Sequence, residues 1–146
     1  MQGKVFYIIR GNLHDGLGHP NAVVLQLATD SFLCVTGFTP DKPKYAQAKK
    51  AEFRRGVWGS AFAVEIDHAR HLDPVDPGLD RHVCGYVCQT AVLMTSAQLK
   101  AGREWGTLSR QAIRTVAEGL LEREAVQPYL PKNVVVALKK MCARQP

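Results

Sequence analysis

Long apolar runs are absent from this 146-residue sequence. No apolar stretch approaches the roughly 18 residues that indicate a transmembrane helix. The apolar segment near the start of the chain is too short for a secretory signal. Internal repeats and low-complexity tracts are also absent, which excludes repeat arrays and biased tails. We therefore expect a cytoplasmic protein that does not bind membranes.

Several short motifs that mark enzyme families are missing as well. The sequence contains no G-x-x-x-x-G-K-[ST] and no G-x-G-x-x-G, so nucleotide binding by those loops is excluded. It also contains neither H-E-x-x-H nor G-x-S-x-G.

The spacing of the cysteines is not that of a zinc site. Two of the four cysteines, Cys84 and Cys88, are four residues apart, without the C-x₂-C pairs that zinc knuckles use. Because free cysteine is among the most buried residue types, we expect buried, reduced thiols. A Cys/Cys/His site that includes His82 is the alternative.

A second group of potential ligands comprises His68 and His71, with Asp67 and Asp73 beside them. A metal cluster is one interpretation. The neighbouring prolines favour a surface loop over residues 68–80, and Asp and His are common in turns. We expect no metal and no other cofactor.

The composition is that of one globular domain spanning residues 1–146, with 46% hydrophobic and 22% charged residues. Residues 4–10, 22–28, 32–38, 57–66 and 83–95 read as strands, the last as one long strand or a bent pair. From Leu108 the apolar period becomes helical, which predicts a helix near 109–124 with Ser109 as N-cap and a short final helix.

Strands first and helices last predict an α+β fold, mainly β, in which five to seven largely antiparallel strands form a partly closed barrel with C-terminal helices. The residues expected in its core are Phe6, Ile8, Val24, Leu33, Val35, Phe62, Val64, Ile113, Val116 and Leu120.

Positive charge is concentrated in residues 42–55, which carry +5 of the net charge of +6. Cations interleaved with aromatic rings suit a phosphate backbone with unstacked bases. A solvated surface, or a site for an acidic protein, fits the same charge. The candidate nucleic-acid-binding residues are Lys42, Lys44, Tyr45, Lys49, Lys50, Phe53, Arg54 and Arg55.

A glycine-rich loop over residues 11–21 holds His14, Asp15 and His19. Because histidine titrates near neutrality, two imidazoles and a carboxylate can perform acid–base catalysis on a phosphodiester. A polar hairpin loop without catalytic function is the alternative.

Three stretches of the sequence resemble the MazF/PemK family of toxins. G-H-P-N-A-V-V-L at 18–25 is similar to the family's G-x-R-P-A-V-V-L-S, and F-L-C-V-T-G-F-T at 32–39 to its V-x-V-x-P-x-T-S. G-T-L-S at 106–109 opens a segment similar to its G-x-L-S closing helix. The resemblance implies a homodimeric SH3-like barrel that cleaves single-stranded RNA without metal and is covered by an acidic antitoxin. Residues 40–56 would be a basic insert, and residues 127–146 a helical extension.

Two of the family's catalytic residues align with this sequence only after a shift of one residue. Its arginine falls on Pro20, directly after His19, and its threonine falls on Phe38, directly before Thr39. Its first acidic residue matches Asp15, whereas the Arg and Asp that some relatives carry on the late strand are missing here.

Two hypotheses follow from this pattern. In a metal-independent endoribonuclease, acid–base and phosphate-binding roles would fall to His14, Asp15, His19, Arg10 as phosphate clamp and Thr39 as hydrogen-bond donor. The alternative is a catalytically inactive barrel that binds nucleic acid or protein.

Overall fold

The protein is described by a computed structural model over residues 1–9, 18–38, 63–74 and 83–144. These residues form an α+β fold made mainly of strands. In chain order the elements are β1 (Lys4–Ile9), β2 (Gly18–Ala28), β3 (Ser31–Phe38), β4 (Ala63–Asp67), α1 (His68–His71), β5 (Leu72–Asp73), β6 (Val83–Val87), a 3₁₀ helix (Cys88–Thr90), β7 (Val92–Met94), α2 (Ser96–Lys100), β8 (Arg103–Leu108), α3 (Arg110–Val126) and α4 (Lys132–Ala143).

The strands form one curled, antiparallel half-barrel sheet in the order β4-β6-β3-β2-β1-β8-β5, and β7 pairs with the first half of β3. The short helix α1 joins β4 to β5, the two strands at the ends of this order. The sheet therefore curls back so that its first and last strands are consecutive in the chain.

The first three strands form because their sequences are rich in β-branched and aromatic residues, as in K-V-F-Y-I-I of β1. A turn at Thr29–Asp30 connects β2 to β3. β2 begins at Gly18, four residues before the predicted start, because Pro20 and Asn21 extend the pairing with Tyr7 and Phe6.

The prediction of a loop over residues 68–80 is wrong for its first six residues. Asp67 caps α1 by accepting a hydrogen bond from the Ala69 amide at 2.9 Å, and β5 pairs with β8. Residues 75–80 lie outside the described residues. The segment 83–95 forms the bent pair β6 and β7 with the 3₁₀ helix between them.

The described residues alone contain eight strands, which exceeds the predicted five to seven because β5 and β8 were not predicted. The sequence R-E-W-G-T-L of β8 has no apolar alternation, and its pairing with β1 and β5 determines its conformation. The helix α2 was missed too. It is five residues long and begins with a capping box formed by Thr95 and Gln98.

The larger core lies between the sheet and the C-terminal helices. The predicted N-cap of α3 is confirmed, because Ser109 Oγ accepts a hydrogen bond from the Ala112 amide at 3.1 Å. Gly119 allows α3 to approach β4 closely, since a Cβ at that position would lie 2.2 Å from Val64 Cγ2.

Eight of the ten residues expected in the core are buried, and these predictions are confirmed: Phe6, Ile8, Val24, Leu33, Val35, Ile113, Val116 and Leu120. Val64 is only half-buried, and Phe62 lies outside the described residues.

A smaller core covers the opposite face of the sheet, where α2 places Leu99 against Phe6, Phe32 and Met94. Strand residues alternate between the two cores, so the central strands are buried on both faces. Among the helices that the structure describes, none combines the length and the hydropathy needed to cross a bilayer.

Candidate functional site

The end of β1, the start of β2 and the end of β3 lie at one end of the sheet. Antiparallel pairing brings Ile9 opposite Gly18, and Asn21 opposite Thr36, so that β3 ends at Phe38 beside the start of β2. We refer to this part of the molecule as the β2-start end of the sheet.

His19 is the one predicted catalytic residue that lies within the described part of the chain. Arg10, His14, Asp15 and Thr39 lie outside the described residues. The same is true of all the predicted nucleic-acid-binding residues, namely Lys42, Lys44, Tyr45, Lys49, Lys50, Phe53, Arg54 and Arg55. The structure therefore places His19 beside the ends of β1 and β3. In the sequence, Arg10 directly follows β1 and Thr39 directly follows β3.

His19 is in β2, where it pairs with Ile8 of β1. Its side chain is 7% exposed, and its imidazole packs against the Phe38 ring with 4.5 Å between ring centroids and 59° between planes. Thus His19 and the last residue of β3 are in direct contact, which orients the imidazole at the β2-start end.

A buried hydrogen-bond network lies directly beneath this contact. Asn21 Nδ2 donates to the His19 carbonyl at 2.9 Å, and Thr36 Oγ1 donates to Asn21 Oδ1 at 2.8 Å. The Thr36 amide donates to Thr90 Oγ1 at 2.8 Å, and that hydroxyl donates to the Val87 carbonyl at 2.7 Å. The chain of bonds ties the backbone of His19 to β3 and the 3₁₀ helix.

None of the three side chains of this network was predicted from the sequence. Asn21 was assigned to the glycine-rich loop, and Thr36 to an ordinary strand position. The sequence does contain a sign of this network, because Asn21 and Thr36 are polar residues within runs that are otherwise apolar. Buried polar groups of this kind are normally hydrogen-bonded, so such residues indicate polar partners elsewhere in the core.

A second polar cluster lies in the larger core. His68 Nε2 and the Tyr86 hydroxyl are 2.7 Å apart, and both side chains are buried. Burial raises the pKa of the adjacent Cys84 thiol to about 12. Burial, with the nearby Cys84, also raises the pKa of Tyr86 well above its ordinary value. Both groups are neutral at pH 7, so Cys84 does not supply a thiolate nucleophile.

An aromatic row connects this cluster to the surface. Tyr7, which is 38% exposed, stacks on Trp105 with ring centroids 5.0 Å apart and an interplanar angle of 10°. Trp105 in turn meets His68 edge-on at 6.5 Å. Gly18 lies against the Tyr7 ring, where a Cβ would come within 2.3 Å of Cε1. The row packs β1, β8 and α1 together near the start of β2.

The histidines considered as metal ligands have other partners. His68 contacts Tyr86, and His71 Nδ1 lies 2.8 Å from Ser109 Oγ. Within the four described ranges, no group of three or more His, Cys, Asp or Glu side chains is placed to hold a metal ion. His82, the third member of the alternative Cys/Cys/His site, lies outside them.

All four cysteines are free thiols. Cys34, Cys84 and Cys88 are buried, which confirms the predicted burial of these three thiols. Cys142 is half-buried. Burial also raises the pKa of Cys88, to about 12, so its thiol is unreactive at neutral pH.

No protein-family model matches this sequence, and no curated protein matches it either. The resemblance to the MazF/PemK family stays a prediction.

Proposed function

We propose that this protein is a metal-independent endoribonuclease toxin of a toxin–antitoxin pair and that it cleaves single-stranded RNA at the β2-start end of the sheet. The observation that carries the proposal is the contact between His19 and Phe38. It joins a candidate acid–base residue to the strand end that Thr39 follows in the sequence.

Chain connectivity supports the remaining roles. Arg10 directly follows Ile9, the last residue of β1, and His14 and Asp15 belong to the segment between β1 and β2. Cleavage of RNA by its own 2′-hydroxyl requires a base, a cation at the phosphate and an acid for the leaving oxygen. In this proposal His14, Asp15 and His19 share the acid–base roles. Arg10 binds the phosphate, and Thr39 donates a hydrogen bond.

The scaffold is compatible with the MazF/PemK type of SH3-like barrel. A curled antiparallel sheet followed by a helix with Ser109 as N-cap matches the order of the resembled motifs. In the same proposal the protein is a cytoplasmic homodimer, and residues 42–55 bind RNA or an acidic antitoxin. A fold of this kind hosts several functions, so the chemistry requires its own test.

A second candidate function is a catalytically inactive barrel that binds nucleic acid or protein. The burial of His19 favours it, because a general base must come within about 3 Å of the proton that it removes. The presence of Pro20 at the position of the family's arginine favours it as well.

Incubation of the pure protein with a long single-stranded RNA in EDTA tests the proposal, with discrete fragments as the expected result. His14→Ala and His19→Ala should each lower the cleavage rate about 10²–10⁴-fold while RNA binding is nearly retained. His71→Gln is the matched control, since His71 bonds to Ser109 and has no role in the proposed chemistry.

The two functions predict different outcomes in this assay. Equal cleavage by wild type and both alanine variants would place the active site elsewhere. Absence of any cleavage, with RNA binding retained, would establish the inactive binding barrel. Circular dichroism of each variant verifies that the buried His19 position tolerates alanine.

A further inference from the structure

The outer face of α4 carries positive charge without any acidic residue. Lys132, Lys139 and Lys140 all lie in this helix, and Arg144 follows it. The neighbouring helix α3, in contrast, contains three cations and three acids. Because surface helices commonly mix both signs, the composition of α4 indicates a surface for an anionic partner.

The lysines are presented on one side of a firmly packed helix. Residues 132, 136, 139, 140 and 143 recur at helical spacing, and all are exposed. On the other side Val134 and Leu138 are completely buried in the larger core. The rise of about 1.5 Å per residue spreads the three lysines over about 12 Å of helix length.

The connection before α4 also holds it in place. Glu124 Oε2 accepts hydrogen bonds from the amides of Tyr129 at 2.9 Å and Leu130 at 3.0 Å. The Tyr129 hydroxyl donates to the Cys88 carbonyl. The lysines therefore lie on a helix that is fixed to the rest of the fold by packing and hydrogen bonds.

Ion pairs between described residues do not account for this charge, and the helix dipole accounts for only part of it. In the described part of the chain, the ion pairs Lys4–Glu104 and Arg114–Glu118 do not involve α4. A cation in the last turn, such as Lys140, favours the dipole. Lys132 lies in the first turn, where a cation opposes it.

We propose that Lys132, Lys139 and Lys140 form a binding surface for the phosphate backbone of single-stranded RNA. A phosphate chain supplies repeated negative charge and requires no apolar cavity, and this face offers only Val136 and Ala143 as apolar residues. This inference extends beyond the proposed function, because it places an RNA contact on the C-terminal extension and does not require cleavage.

The same face is poorly suited to a membrane or to a tightly bound protein. A membrane-surface helix needs a free apolar face, whereas the apolar face of α4 is buried in the core. Protein interfaces are centred on aromatic or large apolar anchors, and the exposed face of α4 has no aromatic side chain and only Val136 as a large apolar one. RNA is therefore the partner that the charge and the shape of this face favour.

Fluorescence anisotropy with a labelled 2′-O-methyl oligoribonucleotide of about 20 nucleotides tests the inference. This probe has no free 2′-hydroxyl, so binding is measured whether or not the protein cleaves RNA. The test variant is Lys132→Gln/Lys139→Gln/Lys140→Gln. The control Arg70→Gln/Lys100→Gln/Arg103→Gln removes the same charge from exposed cations outside α4.

We expect the α4 variant to bind about 100-fold more weakly at about 0.1 M KCl, with a salt slope lower by about 2, since each single-strand phosphate contact contributes about 0.7 to that slope. The control variant should lose much less affinity. Unchanged far-UV circular dichroism and melting verify that both variants fold.

Equal losses in the two variants would overturn the inference, because general charge would then explain the binding. Unchanged affinity of the α4 variant would overturn it as well. Two further probes identify competing partners, namely vesicles of phosphatidylcholine with phosphatidylserine, and a polyglutamate peptide. If the α4 variant loses binding to either of these while RNA binding persists, the inference is wrong.

Discussion

His68 and Tyr86 form a hydrogen bond of 2.7 Å between two buried side chains, one in α1 and one in β6. An isolated helix of four residues is not stable, so α1 depends on contacts of this kind. Because α1 links β4 to β5, the bond helps to hold together the two strands at which the curled sheet begins and ends.

Removal of this bond should destabilise the fold. Tyr86→Phe deprives the buried His68 imidazole of its partner hydroxyl, and we expect a loss of about 1–3 kcal/mol in the free energy of unfolding. Urea denaturation at pH 7 measures the change. Tyr7→Phe is the control, since its exposed ring should tolerate the loss of a hydroxyl within about 0.5 kcal/mol. Equal stability of the two variants would contradict the role given to the bond.

The buried amide and hydroxyl network beneath His19 gives a second prediction. Thr90→Val removes the acceptor of the buried Thr36 amide, and we expect a cost of about 1–3 kcal/mol. Thr107→Val, at an exposed position of β8, is the matched control, expected within about 0.5 kcal/mol. Thermal and urea unfolding of the two variants measure the difference, and similar melting temperatures would show that the Thr36 amide finds water or another acceptor.

The close approach of α3 to β4 gives a third prediction. Alanine normally favours a helix over glycine by about 1 kcal/mol. At Gly119, however, the new Cβ would meet Val64 Cγ2 at 2.2 Å, so we expect Gly119→Ala to destabilise the protein by about 1–3 kcal/mol. Val64→Ala in the same chain should recover part of this loss. A double-mutant cycle by urea denaturation measures the coupling, and strictly additive effects would contradict steric contact as the cause.

The sequence was sufficient to predict those elements whose stability is local or follows from apolar periodicity. The strands β1, β2 and β3 alternate between two buried faces, and α3 has a helical apolar stripe that begins after the cap Ser109. The elements α1, β5 and β8 could not be predicted, because they depend on distant pairings. The Ser109 amide donates to the His71 carbonyl at 2.7 Å, and Leu72 pairs with Leu108.

The candidate site was predictable to a smaller extent. The composition of the glycine-rich loop pointed to His19, and the structure describes its surroundings. Its supporting network joins Thr36 to Asn21 across 15 residues and to Thr90 across 54. Such pairings depend on strand register and on the path of the 3₁₀ helix. Neither can be predicted from the spacing of residues that are close in sequence.

The buried thiols predict a loss of stability at alkaline pH. Burial raises the pKa of Cys84 and of Cys88 from 9.0 to about 12 in the folded protein. Between pH 9 and 12 these thiols ionise in the unfolded chain while they stay protonated in the folded one. Their contribution to stability is therefore complete below pH 9 and is lost as the pH rises towards 12.

We expect the free energy of unfolding to fall by several kcal/mol across this interval, with an upper bound of about 8 kcal/mol, since one pKa unit corresponds to about 1.4 kcal/mol for each group. Urea denaturation at several pH values between neutral and strongly alkaline measures the fall. In a Cys84→Ala/Cys88→Ala variant the fall should be smaller, with a remainder to which Tyr86 and Tyr129 contribute, because burial also raises the pKa of both. Cys142→Ala is the control and should keep the wild-type slope more closely, because its thiol is only half-buried. The same pH dependence in both variants would show that the buried thiols do not govern alkaline unfolding.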